Sequence, residues 1–75
     1  MSVVEKRGIC YVEALQRGKY VYMGRAIGQN REPVVAATVM LLAPRDSSVI
    51  TYGITDDAGR FVIPCDRQRV IGKVA

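Results

Sequence analysis

Thr51-Tyr52-Gly53-Ile54-Thr55-Asp56-Asp57-Ala58-Gly59-Arg60-Phe61-Val62-Ile63-Pro64 reads as two β-strands closed by a tight turn. Ile50, Tyr52 and Ile54 fall on one face of a strand of period two, and Phe61 and Ile63 alternate with Arg60 and Val62 in the same way. Between the strands an aspartate can accept hydrogen bonds from amides two or three residues on, and Gly59 can take the positive φ that closes a bulged hairpin. The stretch predicts a hairpin of defined register, with Phe61 in the core and Arg60 outside it.

Working outward, Val34–Leu42 is an almost wholly apolar run, which predicts a strand covered on both faces. Ala43–Ser48 is dense in turn formers and separates that strand from the hairpin. On the N-terminal side, Ile9–Leu15 and Tyr20–Ile27 predict two strands joined by the polar turn Gln16–Lys19, and Gly28–Pro33 is a polar connection. After Pro64, a charged turn at Cys65–Gln68 leads to a last short strand at Arg69–Val74. The pattern is that of an all-β antiparallel β-sandwich with no long amphipathic helix.

The 75 residues bound the chain to one domain at most. A chain of this size buries only about 60% of the surface it exposes when unfolded, so the core is small and an uncovered face matters. The net charge of +4 is concentrated in residues 1–31, where Lys6, Arg7, Arg17, Lys19, Arg25 and Arg31 face Glu5 and Glu13, while the remainder is balanced. Without a stacking motif or a helix-turn-helix pattern, this basic flank reads as solvated surface, and a nucleic-acid partner is not expected.

Histidine is absent and no Cys-x-x-Cys spacing occurs, which argues against a structural zinc site; no cofactor or metal is expected. Cys10 and Cys65 fit either a disulfide or two small apolar residues in strands. Asp56 and Asp57 read as turn residues, since no Asp-x-Asp-x-Asp-Gly calcium loop surrounds them, and Ser47-Ser48 lacks a base. No catalytic set assembles. Neither a signal peptide nor an apolar run long enough to span a bilayer is visible, so the chain is expected to be cytoplasmic or a segment of a longer exported protein, without direct membrane insertion.

Gly24-Arg25-Ala26-Ile27, Pro33-Val34, Ala37-Thr38-Val39, Leu41-Leu42, Asp46-Ser47 and Gly53-Ile54-Thr55-Asp56 with Gly59-Arg60-Phe61 together resemble the carboxypeptidase regulatory-like domain, in the variety at the N-terminus of TonB-dependent outer-membrane receptors. The resemblance implies a transthyretin-like, Ig-like sandwich of Greek-key sheets over residues 23–75, incomplete at the C-terminus, preceded by an N-terminal hairpin extension at residues 1–22. It implies that Ala37, Val39, Leu41 and Phe61 point into the core, that Gly59 holds the turn, and that Thr55 and Asp56 brace it. Gly28 stands where the family has an acidic residue. The implied function is that of a non-enzymatic accessory module of a periplasmic, outer-membrane-associated or cell-surface protein. It would act by packing on other domains of its parent protein or on protein partners.

An interface is expected at Tyr20, Tyr22, Val34, Met40 and Leu42, with a homodimer formed through an open sheet edge. The alternatives use Tyr20 and Tyr22 to bind a single-stranded nucleic acid or a glycan.

Overall fold

The computed structural model describes residues 9–75. Six strands run β1 (Tyr11–Gly18), β2 (Val21–Ile27), β3 (Thr38–Leu42), β4 (Val49–Ile54), β5 (Arg60–Pro64) and β6 (Ile71–Val74). They form two three-stranded antiparallel sheets, ordered β1-β2-β5 and β4-β3-β6. The chain is all-β, as its alternation predicts, and the two sheets pack as a small sandwich in which β1 lies beside β6 and β4 beside β5.

The central hairpin is corrected. β4 pairs with β3 and β5 pairs with β2, so the two strands flanking the turn belong to opposite sheets. The turn itself forms as expected: Gly59 N–H donates to Asp56 O at 2.9 Å, and Asp56 N–H donates to Arg60 O at 2.9 Å. Beyond those bonds, other partners capture the two arms. Thr55 N–H donates to Ala37 O at 3.0 Å, tying the end of β4 to the start of β3. Ala26 N–H donates to Gly59 O at 2.7 Å, drawing β5 onto β2. The turn is thus an arch between sheets.

Val34–Leu42 is also corrected: the strand begins at Thr38, and residues 34–37 form a turn with Ala36 at φ 54°. β3 is the central strand of its sheet, so Met40 is laddered on both sides, to Tyr52 and to Lys73, and is not at an open edge. The N-terminal hairpin is offset from its expected limits: β1 extends to Gly18, the turn is Lys19-Tyr20, and a bulge between Glu13 and Gln16 places Ala14 at φ 56°. The expected boundary between residues 22 and 23 falls inside β2, so the hairpin and the sandwich share a strand. Residues 1–8 of the extension, with Lys6 and Arg7, lie outside the described residues.

The core is Tyr22, Ala26, Val39, Leu41, Phe61, Ile63 and Cys65, flanked by Val12, Leu15, Val34, Ile50, Val70 and Val74. Two glycines let the layers close. A Cβ on Gly53 would lie 2.6 Å from Ile63 Cγ1, so Ile63 fills the missing side chain from the opposite sheet. The Phe61 ring likewise covers Gly24, its cross-strand partner, whose Cβ would lie 3.0 Å from Phe61 Cζ. Cys10 precedes the β1 end that pairs with Ile27, and Cys65 follows the β5 end that pairs with Val21, so the length of β2 separates them and no disulfide joins them.

Candidate interaction surfaces

The arch at residues 55–59 is built from side chains expected to brace it. Thr55 is buried; its hydroxyl donates to Val34 O at 2.6 Å and accepts from Ala37 N–H at 2.9 Å, pinning the 34–37 turn. Asp56 Oδ1 accepts from Ala58 N–H at 2.9 Å and Arg60 N–H at 2.8 Å. Ala37, Val39, Leu41 and Phe61 are all buried.

The Arg60 amide, followed by the Ala58 amide and the Arg60 guanidinium, holds the Asp56 carboxyl below the usual carboxylate range. A depressed folded-state pKa contributes stability above the unfolded-state value, and that contribution disappears as pH falls through the folded-state value. Urea midpoints should therefore fall on acidification below the ordinary carboxylate range, with a shallower fall in Asp56→Asn. Some acid dependence should persist in the variant, because the Ser48 hydroxyl and amide lower Asp46 in the same direction. An Asp56→Asn curve that overlays the parent would contradict this role.

The outer faces of the two sheets differ. On β1-β2-β5, Glu13 pairs with Arg25 at 2.8 Å and with Arg31 at 3.3 Å, and Asp56 lies 3.8 Å from Arg60. Arg25 and Arg31, with Ile27, Pro33 and Ala58, line a cavity of about 200 Å³. Glu13 already engages both guanidiniums, so this cluster clamps the 28–33 loop onto β1.

On β4-β3-β6, cross-strand pairing places Thr38 with Ile54, and Met40 between Tyr52 and Lys73, on the outward side. Val49 and Ile71 lie at the end of the same face, beside a buried Leu42. Tyr52 and Ile54 are each 66% exposed, and Lys73 is the one charge among these positions. Four large exposed apolar side chains with a single charge among them make this face a candidate for contact with another surface.

Of the residues expected at an interface, Met40 and Val34 are half-buried, Leu42 is buried, and Tyr20 is 61% exposed. Tyr22 is corrected: it is 4% exposed, and its hydroxyl donates to Arg67 O at 2.7 Å. Tyr20 and Tyr22 therefore cannot form one binding platform for a nucleic acid or a glycan. Tyr52 and Ile54 are surface residues that the expected interface omits, while Ile50, which the alternation places on the same face, packs against the core because the irregularity opposite Leu41–Leu42 shifts the register. The outward aim of Tyr52 and Ile54 follows from Gly53 and Thr55 facing inward.

Among the described residues no group of three or more potential metal ligands comes together, and no helix is long and apolar enough to cross a membrane. Comparison of the chain with protein-family models, curated proteins and solved structures returns no match in any of the three.

Proposed function

We propose that the chain is a non-enzymatic β-sandwich module that packs the outer face of β4-β3-β6 against a protein surface, as an accessory domain of an exported cell-envelope protein of the outer-membrane receptor type. The observation that supports the packing is the contrast between the two outer faces. One carries the Glu13 and Asp56 ion pairs beside an exposed Met23–Val62 pair, whereas the other exposes the larger set Tyr52, Ile54, Val49 and Ile71 around Met40, with Lys73 as its one charge. Burying such a face gains about 25 cal/mol per Å² of apolar surface, and a tyrosine with adjacent aliphatic side chains is a common composition for the centre of an interface. The envelope placement rests on the resemblance over Gly24–Pro64.

The test is photo-crosslinking in cells with benzoylphenylalanine at position 52, compared with the same residue at Val62 on the other outer face. A protein adduct at 52 and none at 62 is expected. An adduct whose mass is twice that of the chain identifies a second copy as the partner. Crosslinking at neither position, or equally at both, contradicts the proposal.

A further inference from the structure

The fold brings Arg17 and Lys19 of the first hairpin to the same end of the sandwich as Arg45, Arg67 and Arg69 of two later loops. Three connections meet there: the Lys19-Tyr20 turn between β1 and β2, the 43–48 turn between β3 and β4, and the 65–70 loop between β5 and β6. The 65–70 loop is fastened to the hairpin by backbone atoms. Arg67 O accepts from Tyr22 Oη at 2.7 Å and from Arg17 Nε at 3.2 Å, and Cys65 N–H donates to Tyr20 O at 2.9 Å. Arg17, Lys19, Arg67 and Arg69 are all exposed.

This end carries Arg17, Lys19, Arg45, Arg67 and Arg69 against Asp46 and Asp66. The opposite end carries Arg25, Arg31 and Arg60 against Glu13, Glu32, Asp56 and Asp57. Among the described residues, with Lys73 midway along β6, the excess of positive charge therefore lies at the Tyr20 tip.

Tyr20 is the second observation. It occupies the hairpin tip at φ 63°, a left-handed conformation that a bulky residue rarely adopts and that glycine would hold without strain. A strained backbone that displays a large exposed side chain at the end of the sandwich where these cations lie points to a use for that side chain.

We propose that this tip docks the module on the surface of an anionic phospholipid bilayer. The cations would face lipid phosphates and Tyr20 would sit at headgroup depth, where its amphipathic ring is most favourable. A hairpin tip is convex and meets a plane. A nucleic-acid strand needs successive aromatic platforms along a basic track, and the other tyrosines are elsewhere. Tyr11 lies at the far end of β1, Tyr22 is buried, and Tyr52 is on the outer face of the second sheet. The proposal concerns a surface separate from the Tyr52 face and does not depend on it.

Sedimentation of the full chain with vesicles tests it, using phosphatidylcholine with and without phosphatidylglycerol at low and physiological salt. An excess of three positive charges at the tip should favour the anionic vesicles on the order of a hundredfold at low salt, since each cation near such a surface contributes about fivefold. Added salt should reduce the preference. Arg67→Glu and Arg69→Glu, which each change the charge by two, should each weaken binding on the order of thirtyfold. Arg31→Glu, with the same charge change at the opposite end, should have little effect.

Tyr20→Gly should bind the anionic vesicles more weakly than the parent while melting at a higher temperature, which separates docking from folding. Equal binding to both vesicle types, or equal losses in Arg31→Glu and Arg67→Glu, would overturn the proposal. So would displacement of the protein from the anionic vesicles by oligothymidylate at equimolar phosphate, which would identify the tip as a nucleic-acid site.

Discussion

Phe61→Ala is expected to remove a large share of the domain's stability. The Phe61 ring is 2% exposed and fills the space over Gly24 at the centre of the core. Removing a buried ring costs about 3–5 kcal/mol, because the lost burial is compounded by a cavity that the surroundings only partly close. Gly24 has no side chain with which to collapse into that cavity. A domain of this length has a total stability of roughly 4–11 kcal/mol, so the loss is a large share of it. Arg60→Ala, one residue away on the outer face, removes only an exposed ion pair with Asp56 and should be nearly silent. Urea unfolding of the two variants gives the comparison. Similar midpoints in both would mean that β5 presents the wrong face to the core.

Gly59→Val is expected to be the next most damaging change. Gly59 has φ 73°, in the left-handed region where a β-branched residue costs roughly 1–2 kcal/mol. A Cβ there would also lie 2.7 Å from Ala26 O and 3.0 Å from Pro33 Cβ. Ala26 O is bonded to Val34 N–H at 3.0 Å, and Gly59 O accepts the Ala26 amide, so neither strand can withdraw without breaking a bond between the arch and β2. A loss of at least about 2 kcal/mol follows, which for a domain of this size lowers the melting temperature by roughly 10 °C. A Gly59→Val protein that melts with the parent would show that the arch is not pinned at this position.

The inward residues of β3 and β5 could be read from alternation alone, because a strand with one buried face has one way to place Val39, Leu41, Phe61 and Ile63. The turn was equally legible, since Asp56 and Gly59 use chemistry confined to five residues. Which strands pair across that turn was not legible. The local pattern is the same whether β4 and β5 form a ladder or separate into two sheets. The choice is made by the Thr55 hydroxyl on the 34–37 turn and by the Ala26–Gly59 bond, partners distant in sequence. Ala36 hid its turn in an apolar run because alanine carries no signature of positive φ. Tyr22 looked like a surface aromatic, yet its hydroxyl has an acceptor in Arg67 O, 45 residues away, and can therefore be buried. Charge summed along the chain likewise could not join Arg17 and Lys19 to Arg67 and Arg69.

The assignment of every surface depends on the division of β4 and β5 between two sheets, because that division turns Tyr52 and Ile54 outward and brings the Arg67 loop to the hairpin tip. Interstrand nuclear Overhauser effects on the isotope-labelled protein test it most directly. Contacts between Met23 and Val62 and between Met40 and Tyr52, with no backbone ladder between β4 and β5 beyond the Asp56–Arg60 closure, are expected. A continuous ladder pairing Ile54 and Tyr52 with residues of β5 would contradict the account.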